Sequence, residues 1–143
     1  MKKRNGFTLV ELLAVIVILA IILVIAVPQI MSTIDDATQA SLESSVKMVA
    51  AQVENQYTVA QTLSKNFDPE GRCDAEVAPW AGLNTTDYET CTYSIDSDGN
   101  ATVIVKGKGK FANYGYCKGT RASIDICEKG GTAPQGGTAT PGE

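Results

Sequence analysis

Three groups of residues in this chain have types and spacings that could do chemistry. The first is N-terminal, Lys2-Lys3-Arg4-Asn5-Gly6-Phe7-Thr8-Leu9-Val10-Glu11-Leu12-Leu13: a cationic patch, a glycine, and one carboxylate. The second is four cysteines, Cys73, Cys91, Cys117 and Cys127. The third is a cationic cluster, Lys106, Lys108, Lys110, Lys118 and Arg121, close after the acidic turn Asp96-Ser97-Asp98-Gly99-Asn100. No histidine occurs. Ser–His and Cys–His nucleophile pairs are therefore excluded. Acid pairs exist, but nothing in the spacing places them in a cleft, so the expectation is a protein that is not an enzyme and needs no cofactor.

Glu11 is the anomaly. After Leu13, nothing polar appears from Ala14 through Val27. Residues 7–27 would make a helix of about 32 Å, enough to cross the hydrocarbon core of a bilayer. A charge inside such a segment costs about 2.5 kcal/mol or more. A plain anchor gains nothing from it, so Glu11 calls for a compensating partner. The bland alternative is that it favours the positive end of the helix dipole, worth about 0.3–1 kcal/mol. That is too small to explain a carboxylate in a membrane helix.

The cysteines form no CxxC pair, which with the lack of histidine argues against zinc or any other metal and for disulfides formed outside the cytosol. Four cysteines allow three connectivities. The sequence-local one, Cys73–Cys91 with Cys117–Cys127, is the expectation. The net charge is −4, but three of the twelve basic residues precede the apolar run. The positive-inside rule puts that end in the cytoplasm and the rest of the chain outside. Without those three, nine basic residues face sixteen acidic ones. An acidic head argues against general nucleic-acid binding.

The elements that must position these groups follow from the pattern. Pro28 removes one hydrogen bond and should kink the helix without ending it. Residues 28–64 continue it as an amphipathic helix, with Leu42, Val46, Val49, Val53, Tyr57, Ala60 and Leu63 on one stripe. Lys65-Asn66 and Pro69 mark a stop. Residues 65–89 read as a connecting loop without periodicity. Residues 90–129 read as a small antiparallel sheet whose clearest part is a hairpin around the 96–100 turn. In Arg121-Ala122-Ser123-Ile124-Asp125-Ile126-Cys127, alternation puts Ile124 and Ile126 on one face of a last strand. The tail, 130–143, has little to bury and is expected to be flexible. The fold class expected is α+β, a long N-terminal helix packed by its second half on that sheet.

The first thirty residues closely resemble the cleavage and methylation signature of type IV pilins and their pseudopilin relatives, a class III signal. The carriers are Gly6-Phe7-Thr8-Leu9-Val10-Glu11, the basic leader 1–6, the apolar run and Pro28. The wording Leu-Leu-Ala-Val-Ile-Val-Ile-Leu-Ala is most like pilins of Gram-positive bacteria. The resemblance implies that a prepilin peptidase cuts after Gly6, a small position a protease can open, and methylates the new amino group of Phe7. It implies a subunit held in the cell membrane, then assembled into an extracellular filament, with adhesion, surface motility or aggregation as its uses. Implied partners are further copies of the chain, minor pilins, membrane lipid before assembly, and the inner-membrane assembly platform with its ATPase. On this reading Glu11 is the counter-ion of the Phe7 amine, in its own chain or a neighbour's, and sets register. Pro28 is where the helix bends or melts during packing.

Two further readings stay open from the sequence. A pseudopilin of a secretion or DNA-uptake machine shares the same motif. A secreted or single-pass anchored binding protein would share the apolar run, although no A-x-A site precedes a plausible mature start. Weaker signals have simpler explanations. The Asp96–Asn100 stretch is a poor calcium loop, because Gly107 stands where a bidentate Glu belongs. The lysine cluster is ordinarily a solvated face, and its minority reading is contact with DNA, an anionic surface or an acidic patch on the next subunit. Asn84-Thr85-Thr86 and Asn100-Ala101-Thr102 fit the glycosylation sequon.

Overall fold

The computed structural model describes residues 6–127, 129 and 130. The leader residues Lys2, Lys3 and Arg4 and nearly all of the expected tail lie outside these. The architecture is α+β: one long helix, α1 (Leu9–Thr62), then a five-stranded antiparallel sheet. The chain divides into two compact units, 1–37 and 38–143.

Helix α1 persists for 54 residues because its sequence holds no glycine and a single proline. Pro28 stands inside the helix and does not end it. Just beyond, the hydroxyls of Ser32 and Thr33 both donate to the Gln29 carbonyl, at 2.9 and 3.0 Å. Such back-bonding competes with the helical ladder and favours bending. At the far end Ser64 turns left-handed at φ 53°, and the Lys65 N–H closes the helix on the Ala60 carbonyl at 2.8 Å. Leu63 thus falls past the helix end and is 58% exposed, off the buried stripe expected to include it.

In the first unit, all fifteen large apolar side chains between Leu9 and Val27 are exposed, from 45% at Val27 to 84% at Leu9. At about 1.5 kcal/mol or more for burying each, the segment requires an apolar environment from outside its own chain. By length and composition α1 can cross a membrane.

The second unit has its own core. Leu42, Val46, Val49, Ala50 and Val53 of α1 are fully buried with Cys91, Val103, Val105, Phe111 and Tyr114. The strands are β1 (Glu70–Arg72), β2 (Tyr88–Ile95), β3 (Ala101–Gly107), β4 (Tyr116–Thr120) and β5 (Ile124–Cys127), and they lie side by side in chain order. Strand β3 alternates buried and half-buried without a break, as a strand with one covered face must. Two polar ties join helix to sheet. The Tyr88 hydroxyl donates to Ser45 Oγ at 2.7 Å, and Glu54 Oε1 accepts the Ala101 N–H at 3.2 Å.

Three features depart from the pattern reading. The stretch read as a loop contains β1 and a short 3-10 turn, Pro79–Ala81, and β2 already starts at Tyr88. Strand β1 is held by its neighbours, with Ile95 N–H on the Pro69 carbonyl at 2.7 Å and Cys73 N–H on the Cys91 carbonyl at 2.9 Å. Residues 109–114 form a second 3-10 turn. A Cβ on Gly107 would collide with the Phe111 carbonyl of that turn. Finally, Ile124 and Ile126 do not share a face. Ile124 pairs with Gly119 and Ile126 with Lys118, so an irregularity absorbs Asp125. Ile124 packs on the core while Ile126 is 42% exposed.

Candidate assembly site

Phe7 and Thr8 precede the first helical residue, Leu9, and Phe7 is 93% exposed. At Gly6 a Cβ would meet nothing within 4 Å among the described residues. Thr8 and Glu11 engage each other reciprocally. Glu11 Oε2 accepts the Thr8 N–H at 2.8 Å and the Thr8 hydroxyl at 2.9 Å, while the Glu11 N–H donates to Thr8 Oγ1 at 3.3 Å. This is a capping box, which satisfies orphan donors at a helix start. It holds the carboxylate back toward the N-terminus. Both contacts converge on Oε2, and among the described residues Oε1 accepts no hydrogen bond.

Thr8 is the residue the motif reading missed. Its signal was present: Thr-x-x-Glu ahead of an apolar run is the sequence form of a capping box. Among the described residues, no cation pairs with the capped carboxylate. Pro28 lies on the same helix, one turn before the Ser32 and Thr33 back-bonds.

All four cysteines are buried and bonded, Cys73 to Cys91 and Cys117 to Cys127. Each bridge ties an outer strand to the strand inside it. Cys117 and Cys127 are direct cross-strand partners on β4 and β5. Cys73 follows β1 and faces Cys91 of β2.

The cationic cluster is mostly consumed within the head. Lys106 pairs with Glu89 at 2.7 Å, Lys110 with Asp87 at 3.2 Å and Arg121 with Glu54 at 3.5 Å. Lys108 Nζ donates to the Thr85 carbonyl at 3.2 Å. Its hydrogen bond to Glu89 raises the Lys106 pKa. The Asn84 amide, and then Lys110, hold the Asp87 carboxyl below its ordinary range. Lys118 alone of the cluster has no such partner among the described residues. The 96–100 turn is built on Asp96, whose Oδ1 accepts the Asn100 and Asp98 N–H groups at 2.8 and 3.0 Å. The Asn100 backbone bond, foremost, lowers the Asp96 pKa. Both sequon amides are engaged, Asn84 Nδ2 on Asp87 Oδ2 at 3.1 Å and Asn100 Nδ2 on Asp96 Oδ2 at 3.1 Å.

Comparison with known proteins decides the family. The family model of the prokaryotic N-terminal methylation motif matches residues 1–27. Over 103 residues the chain is 31% identical to the type IV narrow pilus major component PilA5 of Thermus thermophilus, covering 66% of this chain and 84% of that protein. The chain belongs to the type IV pilin family. No solved structure matches it. Membership makes this pilin a structural protein and not an enzyme. It also implies self-assembly and processing by a prepilin peptidase.

Proposed function

We propose that this pilin is a fibre-forming subunit of an extracellular type IV pilus, cut between Gly6 and Phe7, methylated on the new Phe7 amine and assembled through α1. The observation that carries the reading is a segment, residues 9–27, that is apolar and exposed all round with one carboxylate at its start. Lipid satisfies the apolar surface before assembly, and the same segment of other copies satisfies it afterwards. Lys2, Lys3 and Arg4 hold the precursor to anionic headgroups at about 1 kcal/mol each. Cleavage removes that tether and creates an ammonium group. Glu11, with Oε2 engaged by Thr8 and Oε1 accepting no hydrogen bond among the described residues, is its counter-ion, and a neighbour's amine meeting it fixes axial register. Pro28 lets the helix bend or loosen as subunits pack. The folded head faces outward and supports adhesion, surface motility or aggregation.

Mass spectrometry of the membrane fraction and of sheared surface material tests this. The mature chain should lack residues 1–6 and carry one methyl group on Phe7. Glu11→Ala should be processed normally yet give few fibres, since removing one partner of a buried pair typically costs about 3–5 kcal/mol. Fibres made of chains that keep their leader would overturn the proposal, and undiminished fibre yield from Glu11→Ala would remove the counter-ion role.

A further inference from the structure

Only Phe7 and Thr8 separate the Gly6–Phe7 bond from the first helical residue, Leu9. A helix, once nucleated, grows by one hydrogen bond for each residue added, so something must stop α1 short of that bond. Thr8 supplies the stop. It lies outside the helix, its carbonyl accepts the first helical N–H, that of Leu12, at 3.3 Å, and its hydroxyl accepts the Glu11 N–H at 3.3 Å. These are the bonds of an N-cap residue. Running the helix one turn further back would require the Thr8 N–H to donate to the carbonyl four residues earlier, and Glu11 Oε2 already holds it at 2.8 Å. Gly6 adds to the stop, because glycine is a poor helix former. Phe7 and Leu12 occupy the two positions whose side chains can staple the entering chain onto a capped helix. Here Phe7 is 93% and Leu12 63% exposed, so among the described residues no such staple folds Phe7 back.

We propose that Thr8 is a positioning residue for leader removal: its hydroxyl ends the helix at Leu9 and so keeps the Gly6–Phe7 bond in the non-helical form that the peptidase cuts. Clefts that bind extended peptides do so through the backbone N–H and C=O groups. Inside an α-helix those groups are spent on the helix itself, and the bond must be unwound before it can be gripped. Hydrolysis then adds one water across the amide, leaving a carboxylate on Gly6 and an ammonium on Phe7. The Thr8 hydroxyl takes no part in that exchange; it sets the shape of the chain on which it happens. The inference rests on the cleavage reading and deepens it by separating two tasks, Thr8 serving the cut and Glu11 the assembly that follows. In Glu11→Ala the hydroxyl still has the residue-11 N–H to accept, so the stop holds and processing stays normal.

Full-length precursor in detergent, given a prepilin peptidase, tests this through kcat/KM for leader removal. Thr8→Ala exchanges the cap for the best helix former and should lower kcat/KM about fivefold. Thr8→Ser and Thr8→Asn differ in shape but both cap well, and each should stay within about twofold of the unaltered chain. Nuclear magnetic resonance supplies a second readout: the Gly6 and Phe7 Cα shifts should move toward helical values in Thr8→Ala and in neither capping variant. The proposal is overturned if Thr8→Ala is cut at the unaltered rate, or if Thr8→Asn is cut as slowly as Thr8→Ala. It is also overturned if Thr8→Ala is slow while its Gly6 and Phe7 shifts stay put, since the peptidase then reads the threonine side chain itself. An unaltered chain that is not cut between Gly6 and Phe7 would instead overturn the cleavage reading, and this role with it.

Discussion

Glu11 and Asp96 show how one side-chain type does different work according to what surrounds it. Asp96 sits in water and organises a turn, its carboxylate gathering the N–H groups of Asp98 and Asn100. Those bonds hold its pKa below the ordinary carboxylate value, and the Asn84 amide does the same for Asp87. A group whose folded pKa is depressed stabilises fully above its unfolded pKa, about 3.9 for Asp, and loses that contribution as pH falls through the lower folded value. Lys106 has the opposite sign: its raised pKa contributes below the unfolded lysine value and is lost in strong alkali. The head's melting temperature should therefore hold from neutral pH to about 4 and drop below that. Asp96→Asn keeps an oxygen for the turn but removes its titration, so melting measured against pH should show a shallower acid limb. Glu11, by contrast, heads a segment with no other polar residue from Leu12 to Val27. Its described neighbours supply hydrogen bonds but no opposite charge, and on the proposed reading leader cleavage supplies one.

At the scale of elements, legibility tracked periodicity. Helix α1 and the β2–β3 hairpin were readable because long apolar stripes and strict alternation leave little choice of face. Strand β1 was not, since Glu70, Gly71 and Arg72 carry no apolar pattern and pair only because β2 and a disulfide hold them. The face of Ile126 was misread because a one-residue irregularity reverses alternation, and nothing local in the last strand announces it. The capping role of Thr8 was legible from Thr-x-x-Glu and was overshadowed by the cleavage motif around it. The neutralisation of the lysine cluster depends on long-range placement of Asp87 and Glu89, which spacing alone does not give. Strand β5, four residues with one extra, has few ladder bonds of its own. Losing the bridge in a Cys117→Ser, Cys127→Ser double variant should cost about 2–4 kcal/mol. Hydrogen exchange should show β5 amides losing protection first while the buried stripe of α1 and strand β3 keep theirs.

The whole molecule joins two units with opposite solvent requirements. The unit beginning at Thr38 buries a core of its own, while the unit before it, among the described residues, exposes all of its large apolar side chains. A polypeptide starting at Thr38 should fold and stay soluble without detergent, with both bridges formed and a cooperative thermal transition by circular dichroism. The full chain should need detergent, lipid or its own copies. Aggregation of the shorter chain under oxidising conditions would show that the head depends on the segment before it.

The placement of the two bridges has a mechanical corollary. A sheet that is peeled comes apart from its margins inward, one ladder rung after another. Here each margin is cross-linked at one point to the strand within, so an edge strand that peels stays tethered to the sheet. Complete detachment of either edge strand therefore requires a reductant as well as force.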